Sequence, residues 1–274
     1  MSPDGKRAVV KDAPYDVPGD LWTLDFASGR RTRFTFHKEV YSPGVWSPDG
    51  ARIAYSAGSH GDTIFEKAVS GGSDAQVLLK EPGLRHFPTS WSRDGRFLLY
   101  ATENTPNTGH DVWALSVSDR KPHLMLGDAF NEWAAVISPD MRWVAYVSNE
   151  PGAAGVYVRP FRVSEETGQP SFGEGRWQVS KGWGNWPQWR IDREIVFNTA
   201  PTGTEVFAVT VNTTGTAFDG GAPQRLPFPP STGVITTPQS TPDGRSFLIE
   251  VPLDQRAART SISVVLHWPA LLKR

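Results

Sequence analysis

Short apolar runs, each bounded by polar, Gly or Pro residues, set the pattern of this chain. They are Ala8-Val9-Val10, Ile53-Ala54-Tyr55, Phe97-Leu98-Leu99-Tyr100, Trp143-Val144-Ala145-Tyr146, Ile195-Val196-Phe197 and Phe247-Leu248-Ile249. The runs are nearly continuous instead of alternating, which predicts strands covered on both faces. A further strand is predicted downstream of most runs: Asp20–Leu24, Asp111–Leu115, Gly155–Val158 and Glu205–Val209. A shorter closing strand is predicted at Thr32–Phe36, Gln76–Leu79 and Trp177–Val179. The aromatic column Trp22, Trp113, Tyr157, Phe207 is expected to pack between sheets. With 26 Gly and 23 Pro the chain is punctuated too often for long helices,. The expected class is all-β.

The runs are spaced by a repeat. Ser2-Pro3-Asp4-Gly5 recurs as Ser47-Pro48-Asp49-Gly50, Ser92-Arg93-Asp94-Gly95, Ser138-Pro139-Asp140-Met141 and Thr241-Pro242-Asp243-Gly244, with a degenerate copy at Arg190-Ile191-Asp192-Arg193. The starts at 2, 47, 92, 138, 190 and 241 step by 45, 45, 46, 52 and 51 residues. Four strands of about six residues with four loops of about five fill such a period. Each copy therefore reads as one propeller blade. An aromatic or apolar residue precedes the motif (Trp46, Trp91, Ile137, Trp189), which makes the motif a tight turn between the first two strands. Pro presets φ, Asp bonds the backbone ahead of it, and Gly accepts positive φ. The expected architecture is a six-bladed β-propeller of four-stranded antiparallel blades in a single domain over 1–274, with first and last blades incomplete. Met1 stands where Trp46 and Trp91 stand, and little follows the strand predicted at Ser261–His267. Both features lead to the expectation of a fragment of a longer protein, cut within a blade.

Composition narrows the function. Lys and Arg total 28 against 29 Asp and Glu, a formal charge of −1, so no basic excess points to nucleic acid or an anionic membrane. There is no cysteine, which excludes disulfides, thiolate zinc sites and cysteine nucleophiles. No apolar stretch reaches membrane-span length, and no signal-peptide core opens the chain. The six histidines, His37, His60, His86, His110, His123 and His267, show no metal-ligand spacing,. No nucleophile elbow, Walker loop or dinucleotide fingerprint occurs. No catalytic residue, cofactor or metal is expected.

The stretch Trp46 to Tyr55, Trp-Ser-Pro-Asp-Gly-x-x-Ile-Ala-Tyr, resembles the TolB-type (WD-like) β-propeller repeat. The tail Ile262-Ser263-Val264-Val265-Leu266-His267-Trp268 through Leu272-Lys273-Arg274, and the run from Trp143 to Phe161, resemble propellers carried behind the kinase domain and membrane helix of bacterial serine/threonine kinases. That resemblance implies an accessory module, extracytoplasmic where an upstream helix or signal exists. The chain itself carries no Gly-rich loop before a strand Lys, no His-Arg-Asp and no Asp-Phe-Gly.

Binding residues are expected where outer strands connect to the next inner strand near one channel mouth, because loops on a rigid scaffold carry recognition. These segments hold His37-Lys38-Glu39, Arg85-His86, Asn131-Glu132 and Trp183-Gly184-Asn185-Trp186. The candidate site residues are Glu39, Arg85, His86, Asn131, Glu132, Trp183, Asn185 and Trp186. The leading expectation is a non-catalytic module binding a protein, peptide or glycan. The alternatives are a TolB-like periplasmic structural propeller, and an enzyme acting at the mouth through converging His and acidic groups.

Overall fold

The computed structural model describes residues 1–13, 17–36, 39–72, 74–105, 109–127, 129–150, 152–199, 205–214, 217–227, 238–252 and 260–265. The repeated motif builds the same turn wherever it is intact. In the second copy the Ser47 amide donates to the Arg52 carbonyl and the Gly50 amide to the Ser47 carbonyl, both at 2.9 Å. The Ser47 hydroxyl accepts from the Arg52 amide at 2.9 Å and donates to the Asp49 carboxylate. That carboxylate also accepts from the Ala51 amide at 2.9 Å. Equivalent bonds recur around Asp4, Asp94, Asp140 and Asp243. The reversal thus satisfies its own donors before any neighbour packs on it.

The last turn position has φ of 67° at Gly50 and 77° at Gly95, which glycine adopts without strain,. Met141 stands there at φ 59°, a geometry costing an L-residue roughly 1–2 kcal/mol. The hydroxyl bond is the largest influence on Asp4, Asp49 and Asp243 and holds these carboxyls below their ordinary range. At Asp94 and Asp140 burial, the largest influence, pushes upward, but the hydroxyl, arginine and amide bonds together outweigh it.

The degenerate copy departs from this turn. Without Ser and Gly, the chain makes one 3-10 turn over Ile191–Arg193, with Ile191 at φ 48°. Arg190 does the bracing instead: Nη1 donates to Glu194 at 2.7 Å and Nε to the Gly244 carbonyl at 2.6 Å.

Strands take 54% of the residues and helix 2%, so the all-β expectation holds. The first sheet is β1 (Arg7–Lys11), β2 (Leu21–Asp25) and β3 (Arg31–Arg33). The second is β4 (Val45–Trp46), β5 (Arg52–Ala57), β6 (Thr63–Ala68) and β7 (Gln76–Lys80). The third is β8 (Arg85–Trp91), β9 (Phe97–Thr105), β10 (Gly109–Ser116) and β11 (Pro122–Leu126). The fourth is β12 (Glu132–Ile137), β13 (Trp143–Ser148) and β14 (Gly155–Val163), with β15 (Pro170–Phe172) and β16 (Trp177–Gln178) both on β14. The fifth is β17 (Asn185–Arg190), β18 (Glu194–Asn198) and β19 (Val206–Thr214), with β20 (Ala217–Gly220) and β21 (Gln224–Leu226) both on β19. The last is β22 (Gln239–Ser240), β23 (Phe247–Pro252) and β24 (Thr260–Val265).

Five blades are distinguished among the described residues against the six expected. The sixth set, β22 to β24, begins with a strand of only two residues and lies among segments largely outside the described residues. So does the expected tail from Leu266 onward. The strict four-strand expectation fails in the fourth and fifth sheets because β14 and β19 run nine residues each, long enough for two short partners. The chain separates into two compact units, 1–135 with 163–170, and 136–162 with 171–274.

The core is aromatic where second and third strands oppose each other. Tyr55 faces Phe65, Tyr100 faces Trp113, Tyr146 faces Tyr157 and Phe197 faces Phe207. Ring centroids are 5.8, 6.4, 6.0 and 6.0 Å apart, each pair worth about 0.5–1.5 kcal/mol beyond its buried area. Trp22 behaves differently: its indole donates to Asp12 at 3.0 Å in an exposed setting. Arg7 lies over Trp46 and Arg52 over Trp91, at 5.0 and 5.2 Å, tying each sheet to the next within the first unit.

Candidate functional site

Each sheet has a turn end, carrying the repeated reversal or its degenerate copy, and a connection end. The connection end carries the start of the inner strand and the link between second and third strands. At the connection ends of the second to fourth sheets, half-exposed side chains brace one another. Arg85, the first residue of β8, donates from Nε to the His60 carbonyl at 3.1 Å and from Nη1 to Glu103 Oε2 at 2.9 Å. Glu103 on β9 stands opposite both Arg85 and His110. His110 Nε2 is 3.6 Å from Glu103 Oε1, and its Nδ1 meets Asn131 Oδ1 at 3.1 Å.

Gly109 makes that approach possible, since at φ 86° an added Cβ would fall 2.2 Å from Asn131 Oδ1. Aromatic rings close the two ends of the band. Tyr41 lies 5.3 Å below the Arg85 guanidinium, and Trp133 lies 6.1 Å from the His110 ring.

A second imidazole–carboxylate pair joins a buried ring of the third sheet to a half-exposed carboxylate. His86 is fully buried, its Nε2 is 3.6 Å from Glu81 Oε2, and its ring meets Tyr100 edge-on at 5.4 Å. Neither ring nitrogen has a hydrogen-bond partner among the described residues, nor do the Tyr100 hydroxyl and Asp111 Oδ1. Register places His86, Thr102 and Asp111 in one row on neighbouring strands. Desolvation pushes the His86 pKa down to about 4 against an upward pull from Asp62. Burial raises Glu81, and burial followed by the Glu81 charge raises Tyr100. Buried groups left without partners cost roughly 1–3 kcal/mol each.

Of the residues singled out from the sequence, Arg85 and Asn131 therefore meet in one place, together with Glu103, His110, Tyr41 and Trp133, while His86, next to Arg85 on β8, is buried against Tyr100. Glu132 follows Asn131 and is buried. Glu39 is exposed, and its neighbours His37 and Lys38 lie outside the described residues. Trp183, Asn185 and Trp186 belong to the second unit. There Trp183 is 49% exposed, Asn185 Oδ1 accepts from the Trp186 amide at 2.9 Å, and Trp186 takes φ 49°. Glu103 and His110 were not singled out. The signal was present, because antiparallel pairing returns the link between second and third strands to the end where the inner strand begins.

An open cavity of about 460 Å³ lies at the turn end, lined by Pro48, Asp49, Arg52, Arg93, Asp94 and Gly95. Its two carboxylates are already held inside their turns. No group of three or more His, Asp or Glu among the described residues is arranged to hold a metal ion.

No family model matches the sequence, and no curated protein matches it. Solved structures do. TolB from Acinetobacter baumannii superimposes with a TM-score of 0.65 at 17% identity, over 95% of this chain and 60% of that one. A candidate TolB from Agrobacterium tumefaciens gives 0.59 at 18% identity, over 80% and 78%. The fold is a β-propeller of the TolB type. Oligogalacturonate lyase from Vibrio parahaemolyticus also matches, with a TM-score of 0.56 at 11% identity over 96% of this chain and 87% of that one. The chain spans 60% of the length of the Acinetobacter protein, and at these identities the likeness concerns fold alone.

On this propeller the band offers interleaved donors and acceptors at fixed positions, which suits recognition of a polar surface. The second pair offers a buried, neutral imidazole beside a half-exposed carboxyl of raised pKa.

Proposed function

We propose that this chain is a non-catalytic recognition module that holds a protein, peptide or glycan at the connection ends of its blades. The observation that carries this reading is the braced band of Arg85, Glu103, His110 and Asn131. Its side chains are ordered before any ligand arrives, so little side-chain entropy remains to be lost on binding. Six blades are part of the proposal, with β22 to β24 as the sixth. A TolB-like structural role is a reading of comparable weight, supported by the two TolB-type neighbours. The tail resemblance supports a place behind a kinase domain and membrane helix, with the propeller outside the cytoplasm. Sequencing upstream of Met1 separates the two: a kinase domain favours one, a secretion signal the other.

An enzyme acting at this end is a second reading, favoured by the two imidazole–carboxylate pairs at 3.6 Å. The test is amide chemical-shift mapping of the intact chain against peptide and oligosaccharide panels, with product analysis of each mixture. Shifts clustered on residues 103–110 and 131–133 without turnover are expected. Ligand shifts confined to the turn end overturn the recognition reading, and product formation replaces it with the enzymatic one.

A further inference from the structure

The charge balance of the band points to the class of ligand. Arg85 and Glu103 neutralise each other across 2.9 Å, so a charged ligand would have to break that pair or face a field already cancelled. The polar atoms alternate along the band: guanidinium donor, carboxylate acceptor, imidazole, and amide. A hydroxyl group donates and accepts at once, so a chain of hydroxyls satisfies such an alternating row. An apolar surface would strand those groups.

The side chains are also half exposed, at 23% for Arg85, 30% for Glu103 and 33% for His110. They are reachable yet fixed by their neighbours. At either end stands a partly buried flat ring, Tyr41 and Trp133, and flat rings accept the C–H faces of pyranoses. We propose that this band is a binding site for a neutral oligosaccharide, its hydroxyls bonded to Arg85, Glu103, His110 and Asn131 and its ring faces laid on Trp133 and Tyr41. The inference rests on the recognition reading above and narrows it to one ligand class.

Calorimetry of the full chain with cellotetraose, maltotetraose and the N-acetylglucosamine tetramer tests it, with tetragalacturonate and an acidic peptide as charged comparators. Saturable binding of a neutral tetrasaccharide, weakened at least about tenfold in both Trp133→Ala and Glu103→Gln, is expected. Thermal melting of each variant checks folding.

Preference for the charged comparators, or neutral binding unmoved by both substitutions, overturns the inference. Binding of the peptide alone, lost in Trp133→Ala, overturns the saccharide assignment and leaves the recognition reading standing. Absence of every ligand from this end, in both this titration and the shift mapping, removes both.

Discussion

Acid should loosen the third blade, and His86 is the reason. Its ring is fully buried and its pKa is lowered from 6.5 to about 4 by desolvation. The unfolded chain binds the proton first as pH falls, so stability is complete above about pH 6.5 and drains away down to about 4. At about 1.4 kcal/mol per pH unit, that interval removes about 3 kcal/mol. The groups facing the ring are Glu81, Asp62, Tyr100, Thr102 and Asp111. Glu81 acts in the opposite sense over the lower part of the range. Its raised pKa means the folded state takes its proton first, which returns some stability as pH falls towards the ordinary carboxylate range. Because the chain has two compact units, global melting need not be one step. Hydrogen exchange of the β8 and β9 amides is the appropriate local readout, taken between pH 7.5 and 4 with correction for intrinsic rates. Protection should fall steeply in the native chain and change far less in His86→Gln, which keeps a polar group but cannot titrate. An equal slope in both, or a His86 imidazole resonance titrating near 6.5, would falsify the reasoning.

The turns give three further expectations. Ser138→Ala removes the acceptor of the Trp143 amide at 3.0 Å and the donor to Asp140, and should cost roughly 1–3 kcal/mol in urea denaturation, while Ser138→Thr, mimicking Thr241, should restore much of it. Met141→Gly relieves a φ of 59° and should stabilise by about 0.5–1 kcal/mol after the greater unfolded-state entropy of glycine is counted; destabilisation would show that the side chain is held by its packing. The depressed carboxyls of Asp94 and Asp140 stabilise fully above their ordinary pKa and lose that contribution only as pH falls below about 4. Double substitution to Asn should therefore flatten the fall of the urea midpoint below about pH 4 without touching the His86 window above it.

The turn end was legible in the sequence because it is self-contained. The bonds that shape the turn join Ser, Asp and Gly to one another and to the next few residues, so the same short string gives the same geometry in each intact copy. The degenerate copy was legible as a gap, but not as the Arg190 bracing that replaces it, because the Gly244 carbonyl lies a whole repeat away in sequence. The aromatic column was read on the third strand alone. Its stacking partners Tyr55, Tyr100, Tyr146 and Phe197 sat in the runs already recognised, and only the strand register matches them. The split outer strands of the fourth and fifth sheets depend on the length of β14 and β19, and strand ends are set by pairing partners as much as by local pattern.

The connection end was half legible for a related reason. Arg85, Asn131 and Trp183 each stand nine residues before their motif Asp, at the same place in three copies, yet they share no chemistry. A self-satisfied turn can be repeated unchanged. A side chain whose partners lie in the adjacent sheet cannot, because each copy meets different neighbours. Arg85 reaches back to His60 of the second sheet, and Asn131 of the fourth reaches His110 of the third. Within one repeat protein, sameness therefore marks the end that holds each blade together. Divergence at an equivalent, half-buried and cross-braced position marks the end free to be shaped for a ligand. By that argument the turn-end cavity, built from repeated residues, is a by-product of the scaffold, and the row that the repeats do not share is where the proposed recognition is to be tested.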